Sequence, residues 1–582
     1  MDGCFFMSAT TAKQALNQRL ADFSTLVEAL DYAASGRTGM NFYDRHCQVS
    51  TAIEYATLRS NAVAIAQRLI GLKLKKGDRV ALIADTHPSF IESFFACQYA
   101  GLVAVPLLVP SSLGSHRSYV DKLKGLFANC TPSAVLGLEE WLPCVREALG
   151  NSQQVFVGTV AQMSDLPAVQ ELPVVEPQDI AYLQYTSGST RFPRGVIITQ
   201  RAVMANVRGI VVEGIGVRPG DRCASWLPFY HDMGLVGFVL APMAAQLTVD
   251  YLHTRDFATR PGQWLKLISQ NRVTISVAPP FGYDLCTRRI RDSEKAALDL
   301  SCWRVAGIGA EPVRASVLNR FAQCFLDSGF DSAAFTPCYG LAESTLAVSF
   351  ARRGVGVLVD HVDRQVVEHQ LRAQTVAADD PGSCAFTNCG APLSGHRVEI
   401  RNALGRVVAE RQIGEIFVSG PSVMAGYFND PQNTRAALKD GWLDTGDLGY
   451  LSGGELHITG RRKDLLIVRG RNIWPQDIEY LVESEPDLRP GDAIVFIVPG
   501  DDEPQVVVQV QCRIREPQPR EQLVRTLVAK IISEFGLAAQ VDLVPPHSLP
   551  RTSSGKPSRA EALERFMAQA NIDRSCPALE QT

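Results

Sequence analysis

Hydrophobic and polar positions alternate along most of the chain with periods typical of strands and helices. Residues Tyr55–Leu72 carry apolar side chains at helical spacing, which predicts an amphipathic helix. Apolar runs at Arg79–Ala84 and Leu102–Leu108 predict strands, and Phe90–Gly101 between them predicts a helix. Similar alternation recurs as far as Val273–Ala278. The pattern therefore predicts an α/β domain of stacked, substantially parallel sheets.

The pattern changes in the second half of the chain. Short strands separated by turns, such as Arg397–Arg401, predict a β-rich subdomain over about 390–460. After a polar turn at 461–464, strands and helices alternate again, and residues 465–582 predict a compact α+β domain. We therefore expect a large amino-terminal domain, 1–460, followed by a small carboxy-terminal one.

Composition narrows the class of protein. Of the 582 residues 46% are hydrophobic and 20% charged, which is typical of a folded globular protein, and the net charge of −4 without a basic block gives no reason to expect nucleic acid. The uncharged runs Ser93–Ser115 and Met233–Val249 are interrupted by prolines, so neither predicts a membrane span. The cysteines are scattered, so we expect reduced thiols. Met1–Leu20 has no basic region followed by an apolar core, as a signal peptide would, so we expect a cytoplasmic location.

A loop rich in hydroxyl groups and glycine joins the strand-like runs Ile180–Tyr185 and Val196–Thr199. It lacks the G-x-x-x-x-G-K-[ST] pattern that opens a helix in a Walker loop. Its hydroxyl donors, glycines and arginine nevertheless suit a phosphate cradle. The residues alone leave an ordinary polar hairpin equally open. The candidate phosphate contacts are Thr186, Ser187, Gly188, Ser189, Thr190 and Arg194.

Other stretches carry candidate chemistry. Tyr339 and Glu343 offer a ring that can stack on a purine and a carboxylate that can hold magnesium, although such a pair can also be helix neighbours. Trp442–Asp447 predicts a tight turn whose carboxylate suits a ribose diol. Leu549–Lys556 ends in a lysine on a glycine-containing loop, which taken alone favours a solvated surface charge. Gly307–Glu311 lacks the third glycine of a dinucleotide fingerprint, which excludes a Rossmann site there.

In their order and spacing these motifs resemble the adenylate-forming superfamily, which includes acyl-CoA synthetases, luciferases and peptide-synthetase adenylation domains. The resemblance implies a large domain, a hinge and a small mobile domain that rotates between two half-reactions. The first makes acyl-AMP and pyrophosphate from a carboxylic acid and MgATP, and the second passes the acyl group to a thiol. The matching motifs are Tyr185–Gly195, Tyr339–Glu343, Trp442–Asp447, Gly460–Asp464 and Pro550–Lys556.

Within this superfamily the chain is similar to fatty acyl-AMP ligases. The similarity lies in Ser225–Val236, in Arg471–Glu479 and in the 46 residues that separate Glu343 from Gly390. That long gap implies an insertion at about 352–384, and the β-like run Val355–Val362 within it predicts a strand in a folded segment. In this branch the insertion is expected to hamper transfer to CoA. The implied acceptor is the phosphopantetheine of an acyl carrier protein, of the polyketide or peptide synthetase type.

The resemblance also implies a role for individual positions. Lys556 and Glu343 would be catalytic, with Glu343 binding Mg²⁺, and Thr186 to Thr190 with Arg194 would hold the ATP phosphates. Lys463 would be the hinge residue. Adenine and ribose would be bound by Gly309, Ala310, Glu311, Tyr339, Gly340, Asp447 and Arg461. The acyl pocket would be bordered by His231, Met233, Gly234 and Phe281.

Two arginines depart from the family pattern, and three functions stay open. Arg191 stands where glycine is usual and Arg194 where lysine is usual, so a bulkier guanidinium fork faces the phosphates. The favoured function is activation of a medium- or long-chain fatty acid, because the uncharged run Met233–Val249 can wall an apolar tunnel. A long-chain acyl-CoA synthetase would share every motif except the insertion. A non-catalytic acyl- or nucleotide-binding protein is disfavoured by the retained Glu343 and Lys556.

Overall fold

The computed structural model of the chain describes residues 16–109, 116–150, 155–186, 193–468, 471–498, 505–551 and 557–575. Strands and helices alternate through these residues, as the hydrophobic pattern predicts. The strands are β1 Gly39–Tyr43, β2 Val49–Glu54, β3 Arg79–Ile83, β4 Val103–Leu107, β5 Ala134–Leu136, β6 Phe156–Gly158, β7 Ile180–Thr186, β8 Arg194–Thr199, β9 Arg222–Ser225, β10 Thr248–Leu252, β11 Ile275–Ala278, β12 Val305–Ile308, β13 Phe335–Gly340, β14 Ala347–Phe350, β15 Val359–Asp363, β16 Ser383–Thr387, β17 Ala391–Pro392, β18 Arg397–Arg401, β19 Gly414–Ser419, β20 Gly426–Tyr427, β21 Leu438–Lys439, β22 Trp442–Ser452, β23 Glu455–Arg461, β24 Leu466–Val468, β25 Arg471–Ile473, β26 Ala493–Val498, β27 Gln505–Gln511 and β28 Ala539–Val544.

The α-helices range from single turns to 19 residues. They are α1 Leu26–Ala33, α2 Tyr55–Gly71, α3 Pro88–Tyr99, α4 His116–Cys130, α5 Leu142–Leu149, α6 Gln200–Gly209, α7 Asp232–Leu235, α8 Ala241–Ala244, α9 Thr254–Thr259, α10 Gly262–Asn271, α11 Pro280–Arg289, α12 Asp292–Lys295, α13 Ala315–Cys324, α14 Arg364–Gln370, α15 Pro431–Ala437, α16 Pro475–Glu483, α17 Pro517–Phe535 and α18 Arg559–Ser575. The chain divides into two compact units. The first comprises 1–183, 198–276 and 298–303, and the second 184–197, 277–297 and 304–582.

The first unit contains parallel sheets covered by helices. Strand β3 pairs in parallel with both β4 and β5, and β10 pairs in parallel with β1 and β9. These pairings confirm the β-α-β prediction, because parallel neighbours need a crossover connection, here a helix. The uncharged run that begins at Met233 forms α7, a π-helical turn Val236–Leu240 and α8, and is mostly buried. Among the described residues, no helix has both the length and the apolarity that a bilayer crossing requires.

The second unit combines several smaller sheets. Strand β13 lies between parallel β12 and antiparallel β14, while β18, β19, β22 and β21 form an antiparallel sheet to which β23 adds. Strands β15 and β16 pair antiparallel around α14, so the segment predicted as an insertion is folded. From residue 466 onward, β26, β27 and β28 form a mixed sheet. Its apolar residues share a buried cluster with those of α16 and α17.

Two local predictions need correction. Trp442–Asp447 is not a tight turn but the first half of the long strand β22, with an irregularity at Gly446, whose φ is +71°. The strand expected from Val355 begins only at Val359. Pairing with β19, β21 and β23 makes Trp442–Asp447 a strand, whereas Gly354 and Gly356, each with a φ of +75°, precede the later start at Val359. The cysteines in the described part of the chain are all free thiols.

Candidate active site

Three of the predicted nucleotide contacts form one hydrogen-bonded group in the second unit. Tyr339, near the end of β13, is buried, and its hydroxyl donates to Asp447 Oδ2 at 2.7 Å. Asp447 lies directly opposite Arg461 across the β22–β23 pair, with 3.2 Å between Arg461 Nε and Asp447 Oδ1. Burial, and then the charge of Asp447, raises the pKa of the Tyr339 hydroxyl far above its usual range. The phenol therefore stays protonated and holds the carboxylate in place.

The remaining adenine-site candidates flank the same strand. Gly309 and Ala310 follow β12, which is in register with β13 at Ile308 and Pro337. A Cβ added at Gly309 would lie 2.9 Å from Cys338 Sγ, so the close approach of the two segments requires glycine. Ala310 is exposed and has a φ of +69°, and the next residue, Glu311, is half-buried. Tyr339 and Gly340 thus lie on β13, Gly309 and Ala310 follow its neighbour β12, and Asp447 and Arg461 lie on the paired strands β22 and β23.

Glu343 lies on a strained turn directly after β13. It belongs to a single 3₁₀ turn, Ala342–Ser344, and the next residue, Thr345, has a φ of +68°. A β-branched residue in this region costs about 1–3 kcal/mol and persists only where surrounding contacts enforce it. Here the Thr345 hydroxyl donates to the carbonyl of Ser422 at 2.7 Å. The turn that carries Glu343 is therefore fixed by tertiary contacts.

A tyrosine that the sequence analysis missed links Glu343 to the phosphate-loop region. The Tyr427 hydroxyl donates to Glu343 Oε1 at 2.9 Å, and its ring lies 5.3 Å from the Arg194 guanidinium carbon. Strand β20, which contains Tyr427, pairs antiparallel with β8, which begins at Arg194. The only sequence signal for Tyr427 is its place after a glycine, which did not single it out.

The chemistry of this carboxylate fits a magnesium ion. Mg²⁺ in nucleotide sites is held by one or two carboxylates together with substrate phosphates and water, rather than by a cage of protein ligands. Glu343 supplies one half-buried carboxylate, and the part of the chain that the structure describes contains no cluster of three or more metal-ligating side chains. The residues present therefore suit an ion that arrives with ATP.

Several predicted residues lie outside the described residues. These are Ser187, Gly188, Ser189, Thr190 and Lys556, together with Arg191. The positions that flank them are described. Thr186 ends β7 and Arg194 begins β8, so the phosphate loop joins two strands, as predicted. On either side of Lys556, Arg551 and Pro557 form an isolated β-bridge.

The predicted hinge lies between two sets of ion pairs. On its amino-terminal side Arg462 pairs with Glu415 at 2.5 Å and with Asp444 at 3.0 Å. On its carboxy-terminal side Asp464 pairs with Arg559 at 2.9 Å. Lys463 lies between Arg462 and Asp464, which form these pairs on its two sides. A change in the backbone angles of Lys463 would therefore disturb neither set of ion pairs.

A further set of contacts joins the folded segment around α14 to residues beyond 470. The buried carboxylate of Glu368 accepts two hydrogen bonds from Arg471, at 2.6 and 3.0 Å, and its carbonyl accepts one from Asn472 at 2.8 Å. Arg364 reaches Glu534 at 3.4 Å. Val362, Val367 and Ala373 also share a buried apolar cluster with Trp474.

The acyl-pocket candidates fall in different units of the chain. His231 is the N-cap residue of α7 in the first unit, where Met233 and Gly234 begin the buried run. A Cβ at Gly234 would lie 2.2 Å from the Pro228 carbonyl, so this turn requires glycine. Phe281, on α11 in the second unit, is 42% exposed. The acyl pocket stays a prediction.

Comparisons with known proteins place the chain in a family. A family model described as AMP-binding enzyme matches residues 36–428. One of the solved fatty acyl-adenylate ligases from E. coli and L. pneumophila has 57% identity and a TM-score of 0.92, over 96% of this chain and 100% of its own. A Caulobacter vibrioides protein named as an acyl-CoA synthetase is 43% identical over 94% of this chain and 96% of its own. The medium-chain-fatty-acid–[acyl-carrier-protein] ligase JamA of Moorena producens is 32% identical over 94% and 95%.

These similarities extend over nearly the whole length of this chain and of each relative. They confirm the resemblance to fatty acyl-AMP ligases that the motifs indicated. The chain belongs to the AMP-binding enzyme family and is a ligase that forms acyl-AMP from ATP.

Proposed function

We propose that the protein activates a medium- or long-chain fatty acid with MgATP and passes the acyl group to the phosphopantetheine thiol of an acyl carrier protein. The observation that carries the choice of acceptor is the folded segment around α14, whose Glu368 is bonded to Arg471. The name of the JamA relative supports the same acceptor. The free thiols support a cytoplasmic location.

In the first half-reaction a carboxylate oxygen of the fatty acid attacks the α-phosphorus of ATP. A new phosphorus–oxygen bond forms as the bond to the β-phosphate bridge breaks, and pyrophosphate leaves. No strong base is needed, because the carboxylate is already ionised at neutral pH. Lys556 would stabilise the charge that develops at the α-phosphate, while Thr186 to Thr190 and Arg194 would hold the other phosphates. Magnesium, bound through Glu343, would neutralise phosphate charge.

In the second half-reaction the thiol attacks the acyl carbonyl, AMP leaves with its phosphate oxygen, and the thiol proton passes to solvent. We propose that residues from 465 onward turn about Lys463 between the two steps, as a small mobile domain. The contacts of Glu368 and Arg364 with Arg471 and Glu534 would then favour the pose that makes acyl-AMP. A bias of about 2.7 kcal/mol would reduce the transferring population about a hundredfold.

Free CoA and a carrier protein differ in how they can overcome such a bias. CoA adds only its 3′-phospho-ADP group to the pantetheine arm, whereas a carrier protein adds a protein interface of its own. The runner-up function is a long-chain acyl-CoA synthetase, which the name of the Caulobacter relative favours. The folded segment is the feature that distinguishes the two, because it would slow the CoA reaction selectively.

Pyrophosphate exchange tests the first half-reaction. We expect labelled pyrophosphate to enter ATP in a fatty-acid-dependent manner, with saturated acids of medium or long chain better than acetate or amino acids. Burial of each additional methylene in an apolar pocket is worth about 0.8 kcal/mol. A matched series of acids that differ only in chain length is the internal control. Maximal exchange with acetate or an amino acid would contradict the proposed substrate class.

The acceptor is tested with acyl-AMP formed on the enzyme. We expect acyl-AMP to persist with CoA and to be consumed by a phosphopantetheinylated carrier protein, with the unmodified carrier as the control. Rapid formation of acyl-CoA by the intact protein would instead show that the protein is an acyl-CoA synthetase.

A further inference from the structure

The segment that contains Tyr427 is attached on both sides to parts of the candidate site. The Ala425 and Phe428 amides donate to the carbonyls of Ile197 and Gly195, at 3.0 and 2.8 Å, which fixes the segment to β8. The Met424 amide donates to the carbonyl of Glu343 at 2.8 Å. Five consecutive residues, 424–428, therefore connect the strand after the phosphate loop to the turn that carries the carboxylate.

The side chain of Tyr427 contacts the same two parts of the candidate site as the backbone of this segment. Its hydroxyl bonds to Glu343 Oε1 at 2.9 Å, while its ring lies beside the Arg194 guanidinium, with 5.3 Å between ring centroid and carbon. Tyr427 is only 7% exposed, so the ring has little freedom to move. One carboxylate oxygen of Glu343 is thereby engaged within the protein, and the other has a defined direction.

We propose that Tyr427 is a positioning residue that sets both the Glu343 carboxylate for magnesium and the Arg194 guanidinium for the ATP phosphates. This inference rests on the proposed function, because it takes Glu343 and Arg194 as contacts of MgATP. The hydroxyl and the ring serve different partners. The two contributions can therefore be removed separately.

Tyr427→Phe removes the hydroxyl and keeps the ring and its buried volume, whereas Tyr427→Leu removes both. Tyr55→Phe is the matched control, because Tyr55 is fully buried, its hydroxyl donates to the carbonyl of Leu247 at 2.8 Å, and neither residue is a proposed nucleotide contact. Two quantities are measured for each variant. One is the Mg²⁺ concentration for half-maximal pyrophosphate exchange, and the other is calorimetric binding of a non-cleavable α,β-methylene ATP analogue with and without Mg²⁺.

We expect Tyr427→Phe to raise the Mg²⁺ requirement about tenfold in both measurements, as for other groups that orient a metal ligand, and to bind the metal-free analogue normally. Tyr427→Leu should also weaken binding of the metal-free analogue, because Arg194 loses its aromatic neighbour. Tyr55→Phe should change neither quantity. A Tyr427→Phe enzyme with the normal Mg²⁺ requirement would overturn the inference, as would equal losses in all three variants.

Glu343→Gln separates this inference from the proposed function. If Glu343→Gln raises the Mg²⁺ requirement and Tyr427→Phe does not, the role of Tyr427 is wrong and the proposed site stands. If neither variant changes it, the proposed role of Glu343 fails, and the inference about Tyr427 fails with it.

Discussion

Asp447 has a defined place because both of its oxygens are engaged within the protein, one by the Tyr339 hydroxyl and one by Arg461. Glu343 is held through one oxygen by Tyr427 and through its backbone by the strained turn at Thr345. Side chains fixed by their neighbours need little reorganisation when a nucleotide binds, and such preorganisation is a large source of catalytic power. At the scale of single residues, Asp447 and Glu343 are therefore positioned by contacts within the protein.

Lys556 is the residue whose substitution should separate the two half-reactions. Lys556→Ala should abolish acyl-AMP formation and leave transfer from supplied acyl-AMP largely intact, because the lysine would stabilise charge that develops only in the adenylation transition state. The measurements are pyrophosphate exchange and single-turnover transfer, and Lys530→Ala in α17 is a lysine control outside the proposed site residues. Equal losses in both steps by a folded variant would show that Lys556 has a structural or shared role.

Among the elements, those with strong local patterns were predicted well. The helix expected at Tyr55–Leu72 is α2, Tyr55–Gly71, and the strand at Arg397–Arg401 has the predicted bounds. The turn expected at Trp442–Asp447 is instead strand, because it pairs with β19, which lies earlier in the chain, as well as with the adjacent β21 and β23. Tyr427 was missed for the same reason, since its hydrogen bond spans 84 residues to Glu343 and leaves no local periodicity.

The element around α14 can be tested through Glu368. Glu368→Gln should weaken the pairing with Arg471 and raise the rate of acyl transfer to CoA about tenfold, which is the range expected for a hydrogen bond to a charged group. Glu561→Gln is the control, because its pairing with Arg565 is an exposed pair within α18. The measurement is acyl-CoA formed from enzyme-bound acyl-AMP.

A larger change at the same element is deletion of residues 354–379 with a short Gly/Ser bridge. It should also raise acyl-CoA formation, but it removes Val362, Val367 and Ala373 from the apolar cluster that includes Trp474. Glu368→Gln is therefore the cleaner test. No gain of CoA transfer in either variant would show that the block to CoA lies elsewhere, as in a poorly formed pantetheine channel.

At the scale of the whole molecule, the proposed rotation about Lys463 would divide the ion pairs of the second unit into two kinds. Arg559 and Asp464 both lie on the carboxy-terminal side of the pivot, so their pair would travel intact through the rotation. Arg471 and Glu368 lie on opposite sides, so their pair would exist in only one pose. A pair that is present in both poses cannot shift the equilibrium between them, whereas a pair present in one pose can.

Double-mutant cycles distinguish the two kinds of pair. We expect Arg471→Gln and Glu368→Gln to show a coupling energy on acyl transfer of opposite sign to that on acyl-AMP formation, because their pair favours one pose and opposes the other. Arg559→Gln and Asp464→Asn should show the same coupling energy on both rates, because their pair lies wholly within the part of the chain that would rotate. Each cycle needs the wild type, both single variants and the double variant, with both half-reactions measured at one salt concentration because screening weakens partly exposed pairs. Equal couplings for Arg471 and Glu368 on the two rates would place the pivot beyond residue 471 or exclude a rotation, and the account of carrier-protein preference would then lose its physical basis.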